Sequence, residues 1–215
     1  MPIFERAAAL ALIGLLAACD VPVEEARAPL PLVEAETVEV EVGGRSVRLA
    51  PPEGLCIDPA SVSVSDRGAA LLAGDCEAAG VVRVSQAPPI ASVLTASIGA
   101  APLPGEGGVD RRAEALEEAL QAGLADALLA EADGVARLIE TRLIDGTVYA
   151  LLEDGTAQAF AGAAPRYWRA VGEENGRMIL LTVRGLEGAW PGEGPLFDQL
   201  AAFRAAIARA NGSAA

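Results

Sequence analysis

Two turn-forming dipeptides in the C-terminal part of the chain constrain its fold more than any other sequence feature. Asp145-Gly146 and Asn175-Gly176 each interrupt a stretch rich in aliphatic, β-branched and aromatic residues within the range 134–186. Asn-Gly and Asp-Gly pairs favour the type I′ turns of two-residue hairpins, because both central residues must adopt positive φ. The sequence therefore predicts a meander of four antiparallel strands in this range.

Shorter period-two patterns precede the meander. Residues 37–50 alternate between apolar and polar on both sides of Gly43-Gly44, which predicts a β-hairpin. The other predicted strands are 62–65, 69–76, 81–87 and 91–98. The proline-bounded segment 51–61, which contains Cys56, is predicted to be a loop.

Two helical patterns flank the meander in the sequence. In the first, leucines recur every four residues from Leu116 to Leu128, after Asp110 as the predicted N-cap, and Gly123 predicts a break. The second helix has Pro195 in its first turn and ends at Asn211-Gly212. Its predicted buried residues are Leu196, Leu200, Phe203 and Ile207. Because no β-α-β alternation occurs, we predict an α+β fold with a mainly antiparallel, twisted sheet flanked by two helices.

The N-terminal residues carry an export signal. Residues 7–16 form an apolar run that is too short to cross a bilayer, which takes about 20 residues. The following Leu16-Ala17-Ala18-Cys19 resembles the lipobox of bacterial lipoproteins. The resemblance implies that Cys19 is lipidated and that residues 1–18 are removed as a signal peptide. The alternative is an ordinary signal peptide with a cysteine there by chance.

A tether and a single domain are predicted after the signal. Residues 19–36 mix Pro, Glu and Ala without apolar periodicity, which is typical of an extended linker. We predict one α+β domain over 37–212 and a disordered tail over 213–215. Asp20 resembles the inner-membrane retention signal of enteric lipoproteins and so favours the inner membrane. The absence of lysine and the abundance of alanine suggest a GC-rich genome, so the choice of membrane stays open.

The chain has three cysteines, and an odd number leaves one thiol without a disulfide partner in an exported protein. If Cys19 is lipidated, two cysteines remain. Cys56 and Cys76 are then predicted to form a disulfide in an oxidising compartment. The alternative for this pair is a metal or redox site. Redox motifs usually place their cysteines three positions apart in the chain, and the sequence has no histidine to complete a metal site.

Composition excludes several classes of chemistry. The chain has a net charge of −14, which disfavours binding to nucleic acids and anionic lipid surfaces. Without lysine there is no P-loop cation and no Schiff base, and without histidine there is no Ser-His or Cys-His nucleophile. We predict no cofactor and no metal. The predicted partners are the membrane, through the N-terminal lipid, and another envelope protein.

Two acidic doublets are the remaining candidates for general acid–base catalysis. They are Glu153-Asp154 and Glu173-Glu174. Adjacent residues in a strand point to opposite faces, so neither doublet converges on one site by itself. Because both lie near predicted turns, we predict that these carboxylates are simply solvated.

Aromatic residues supply candidate partner contacts. After the signal, every aromatic residue lies between Tyr149 and Phe203. Tyr167 and Trp168 are neighbours in a predicted strand, so one side chain faces the core and the other faces away. The side chain that faces away is either covered by a helix or loop, or exposed as an anchor for a partner. Trp190, in a Gly/Pro-rich loop, is the other candidate contact.

Two wider resemblances bear on the folded part. The segments 54–76 (from GLCIDP through GDC) and 165–185 (PRYWRAVGEENGRMILLTVRG) resemble stretches of lipoproteins from GC-rich bacteria, a resemblance that implies no activity. The element order is similar to the PsbP/Mog1-like layout of a twisted antiparallel sheet with flanking helices. We predict a non-catalytic envelope lipoprotein that binds or scaffolds another envelope protein. The alternative is a carboxylate-dependent periplasmic hydrolase or small-ligand-binding protein, which requires a pocket where two acids meet beside an aromatic wall.

Overall fold

An antiparallel sheet organises the fold in the computed structural model of the chain. The structure describes residues 37–76, 91–124, 129, 136–154 and 160–213, all within one compact unit. Its strands are β1 (Val38–Val42), β2 (Arg45–Leu49), β3 (Leu55–Ile57), β4 (Ser63–Ser65), β5 (Gly68–Asp75), β6 (Ser92–Gly99), β7 (Ala136–Ile144), β8 (Thr147–Asp154), β9 (Ala163–Glu174) and β10 (Arg177–Leu186). Among these residues, β1 and β2 form a separate hairpin, and the other eight strands form one sheet. Its order is β3-β5-β6-β10-β9-β8-β7, with β4 paired to β5.

The C-terminal meander is confirmed. Strands β7 to β10 pair antiparallel in sequence order. Both turns use the predicted dipeptides with positive φ, 48° at Asp145 and 67° at Gly146, and 51° at Asn175 and 71° at Gly176. These values match a type I′ turn, whose twist agrees with that of the flanking strands.

Strand β6 joins the N-terminal strands to the meander. It pairs with β5 on one side and with β10 on the other, where Leu181 lies opposite Ala96. This pairing connects residues far apart in the chain, so no local sequence pattern predicts it. Apart from the β1–β2 hairpin, the predicted strands that the structure describes are therefore parts of one continuous sheet.

The prediction of a loop over 51–61 was wrong in part. Leu55–Ile57 forms a short strand, β3, which pairs with the end of β5. Three consecutive buried residues form this strand, so no alternation marks it, and the flanking prolines suggested a loop instead. The predicted strand 81–87 lies outside the described residues.

The two helices cover opposite faces of the sheet. Helix α1 (Val109–Ala119) packs on β7, β8 and β9, whereas helix α2 (Glu193–Ala210) packs on β9 and β10. Two separate hydrophobic clusters result, one on each face. The α+β class with a mainly antiparallel sheet and two flanking helices is thus confirmed.

Helix α1 begins and ends close to the predicted positions. Its N-cap is Gly108, not the predicted Asp110, which lies in the first turn, where an acid also stabilises the helix. The break at Gly123 is confirmed, because Leu120–Leu124 forms a single π-type turn in which Gly123 has a φ of 97°. Leu120 is buried and Leu124 is exposed, and Leu128 lies outside the described residues.

Helix α2 follows its prediction. The predicted residues Leu196, Leu200, Phe203 and Ile207 are all fully buried. The helix ends at Asn211, and Gly212 follows with a φ of 74°, a left-handed conformation common after helix C-termini. The Asn211 side chain also accepts a hydrogen bond from the Arg48 backbone N–H at 2.9 Å, which attaches the β1–β2 hairpin to the helix end.

The predicted disulfide between Cys56 and Cys76 is present, with their Cα atoms 4.8 Å apart. Cys56 lies in β3, and Cys76 directly follows β5. The bond therefore fastens the short strand β3 to its neighbour at the edge of the sheet.

Removal of this disulfide is expected to destabilise the domain. The bond joins residues 20 positions apart, and closing a loop of that length removes denatured-state entropy worth about 3 kcal/mol. The double variant Cys56→Ser/Cys76→Ser should lose about this much free energy of unfolding in urea titrations. Reductant added to the native protein should reproduce the loss. An unchanged urea midpoint in both experiments would contradict the prediction.

Candidate functional site

The first acidic doublet divides between the two faces of the sheet. Glu153 accepts hydrogen bonds from Arg137 and from Arg166, at 3.1 Å and 3.0 Å from their Nε atoms. Asp154 forms an ion pair of 2.7 Å with Arg184, and both side chains are almost completely buried. The hydrogen bond from Arg137, followed by that from Arg166, lowers the pKa of Glu153.

The second doublet divides in the same way. Glu173 pairs with Arg112 of α1 at 2.6 Å, and Glu174 pairs with Arg204 of α2 at 2.9 Å. The side chains of Glu173 and Glu174 are only 8% and 1% exposed. The prediction that the doublets are solvated was therefore wrong for Asp154, Glu173 and Glu174, because arginines from other elements reach these buried carboxylates and compensate their charge. Glu153 remains partly exposed, at 27%.

The opposite orientations within each doublet are confirmed, and neither doublet forms a two-carboxylate site by itself. Among the described residues, no group of three or more acids or cysteines is arranged to hold a metal ion. None of the helices in that part of the chain is long and apolar enough to cross a membrane.

Tyr167 and Trp168 are both buried. Tyr167 lies on the α1 face, with the guanidinium of Arg184 3.7 Å from its ring centre, and burial raises the pKa of its hydroxyl. Trp168 lies on the α2 face and donates from its indole N–H to the Glu193 backbone carbonyl at 2.9 Å. Both neighbours are thus covered by helices or loops, and neither ring offers the exposed surface that a partner anchor needs.

Trp190 is different, because 38% of its surface is exposed. It lines an open groove of about 500 Å³, which we call the Trp190 groove. The described residues lining the groove are Ala164, Pro165, Arg166, Glu187, Trp190 and Glu193. They come from the start of β9, the 3₁₀ turn Glu187–Ala189 after β10, and the first turn of α2.

Gly185 makes the space in which Trp190 lies. The register of β9 and β10 shifts between Arg184 and Leu186, where residues 164–166 of β9 lie opposite Gly185 alone, so the bulge is in β9 and Gly185 faces it. A Cβ atom at Gly185 would lie 2.9 Å from Cε3 of Trp190, closer than van der Waals contact allows. The indole therefore packs against the strand backbone at a position where no side chain intervenes.

A chain of ion pairs holds the polar side of the groove. Arg166 donates to Glu153 at 3.0 Å and to Glu193 at 2.8 Å, and Glu153 also binds Arg137. These two carboxylates raise the pKa of Arg166, with its hydrogen bond to Glu153 as the larger cause. The charged groups are thereby held at set positions beside Trp190.

Sequence reasoning identified Trp190 but missed Arg166, Glu187, Glu193 and Gly185. Part of the signal was present, since Glu187 and Glu193 lie three residues to either side of Trp190. Arg166 was not recognisable, because only the pairing of β9 with β10 brings it to this loop.

Comparison with known proteins identified no relative of this chain. No protein-family model matches the chain, and no curated protein is detectably similar to it.

Proposed function

We propose that this protein is a lipid-anchored protein of the bacterial cell envelope whose folded domain binds another envelope component without catalysing a reaction. One observation carries the proposal. The disulfide accounts for Cys56 and Cys76 and leaves Cys19, which is the cysteine of the lipobox-like segment. Since disulfides persist in oxidising compartments, their pairing supports export, and the lipobox supports anchoring.

The buried acids support a non-catalytic role. Three of the four doublet carboxylates, Asp154, Glu173 and Glu174, are engaged in buried ion pairs that connect the sheet to itself or to a helix. Their contacts are those of structural groups, and the chain has neither histidine nor lysine to activate a hydroxyl. Inner-membrane placement, suggested by Asp20, stays a prediction.

Substitution of Cys19 tests the anchor. Cells that produce the wild-type protein should incorporate labelled palmitate into it, and Cys19→Ala should abolish the label, because the thiol is the proposed site of acylation. The double variant Cys56→Ser/Cys76→Ser should keep the label and serves as the control. Equal labelling of wild type and Cys19→Ala would contradict the proposal.

A second candidate function is that of a small-ligand-binding protein or carboxylate-dependent hydrolase. It is favoured by the Trp190 groove, which Glu187 and Glu193 line together with an exposed aromatic ring. Hydrolysis would release new reducing ends from oligosaccharides, and Glu193→Gln would abolish that release. Binding without any such release is the outcome that agrees with the non-catalytic proposal.

A further inference from the structure

We propose that the Trp190 groove binds a neutral oligosaccharide. The inference rests on the proposed function and deepens it, because it names the chemical class of the envelope component that the domain binds. It is based on the aromatic surface, the polar groups and the charge of the groove.

The aromatic surface suits a sugar ring. One part of the indole of Trp190 lies against Gly185, and the exposed remainder opens on the groove. A pyranose ring has an apolar C–H surface that packs well against an aromatic ring. Because the indole already packs against Gly185, little side-chain freedom would be lost on binding.

The polar groups suit hydroxyls. Arg166 offers planar N–H donors, whereas Glu187 and Glu193 offer carboxylate acceptors. Each sugar hydroxyl both donates and accepts, so a ligand with several hydroxyls can use both kinds of group at once. The Arg166–Glu193 and Arg166–Glu153 bonds already position Arg166 and Glu193, as a preorganised polar site requires.

The charge of the groove favours a neutral ligand. The chain as a whole carries −14, which repels anions over a long range. Within the groove, however, Arg166 bonds to Glu193, and the adjoining Glu153 also binds Arg137, so positive and negative groups alternate. An acidic ligand would meet Glu187, Glu193 and the negative charge of the chain. A basic ligand would have to displace Arg166 from Glu193 to pair with that carboxylate. A neutral polyhydroxyl compound meets neither obstacle.

The size and shape of the groove agree with a short oligosaccharide. Its volume of about 500 Å³ lies within the range of small-molecule sites, roughly 300–1,000 Å³. Because the groove is open, a chain longer than the groove could extend beyond it at either end.

Titration with defined trisaccharides tests the inference. The processed, full-length protein is purified in lauryldimethylamine oxide, because detergents with sugar head groups would compete. Maltotriose, cellotriose and tri-N-acetylchitotriose are titrated by calorimetry and by saturation-transfer NMR. At least one should bind, and Trp190→Ala should weaken its binding by about tenfold or more, whereas Trp190→Phe should largely retain it.

Two further variants separate the groove from the rest of the surface. Val64→Ala is the matched control, since Val64 is exposed on β4 and does not line the groove; it should bind as the wild type does. Gly185→Ala keeps Trp190 but displaces its ring, so it should also weaken binding, with a shift in tryptophan emission that reports the displacement. Circular dichroism confirms that each variant is folded.

Three results would overturn the inference. The first is no binding of any of the three sugars, and the second is binding that Trp190→Ala leaves unchanged. The third is Trp190-dependent binding of a tri-arginine peptide without binding of any sugar, which would assign the groove to a basic protein segment. Palmitate labelling of the same preparation is measured separately, so a labelled protein that binds no sugar contradicts this inference and leaves the lipid anchor standing.

Discussion

Replacement of Trp168 by alanine is expected to lower the free energy of unfolding by about 3–5 kcal/mol, the usual cost of truncating a large buried aromatic residue. The indole is 1% exposed, lies edge-on to Phe197 with ring centres 5.0 Å apart, and donates to the Glu193 carbonyl at the start of α2. Truncation would leave a cavity between the sheet and α2 and remove the hydrogen bond to the Glu193 carbonyl. Urea denaturation followed by circular dichroism measures the loss.

Trp190→Ala is the matched control for this experiment. The residue is of the same type and belongs to the same part of the fold, but 38% of its surface is exposed. Its truncation should cost clearly less than that of Trp168, since it removes less apolar area from the folded interior. Equal destabilisation by the two substitutions would contradict the different burial of these two side chains.

Removal of the Arg204 guanidinium is expected to destabilise the protein by a similar amount. Arg204 of α2 donates to Glu174 at 2.9 Å and to the Thr147 hydroxyl at 3.2 Å, while the Glu174 side chain is 1% exposed. Arg204→Met would leave this carboxylate buried without its cation, which typically costs about 3–5 kcal/mol. Chemical denaturation of the purified variant tests the expected loss.

The double variant Arg204→Met/Glu174→Gln separates the ion pair from packing. Because it removes both charges, it should be more stable than Arg204→Met alone. The exposed pair Arg48–Glu39, at 3.2 Å, provides the control, and Arg48→Met should leave the urea midpoint nearly unchanged. A double variant no more stable than the single one would show that Arg204 acts through packing alone.

The elements that the sequence predicted correctly have local causes. Asp145-Gly146 and Asn175-Gly176 supply the positive φ values that their turns require, and the spacing of Leu196, Leu200, Phe203 and Ile207 marks one face of α2. Each of these signals lies within one short stretch of consecutive residues. Local backbone preference and periodicity therefore suffice to place the elements.

The errors concern contacts between distant residues. The acidic doublets look like surface groups in the sequence, but Arg112, Arg184 and Arg204 reach three of the four carboxylates from other elements. Leu55–Ile57 resembles part of a loop until β5 lies beside it. Whether a charged group or a short strand is buried depends on which other elements pack against it. The residues next to it in the sequence do not indicate which elements those are.

By itself, the sequence determined the hairpins, both helices, the α+β class and the lipobox-like start of the chain, because these depend on neighbours in the chain. Only the tertiary structure decided that β6 pairs with β10, that Trp168 is buried and Trp190 exposed, and that Arg166 reaches the Trp190 groove. Those outcomes depend on which surfaces of the sheet, the helices and the loops pack together in the folded domain. The packing is determined by the burial of apolar area summed over the whole domain, so it cannot be read from any single segment.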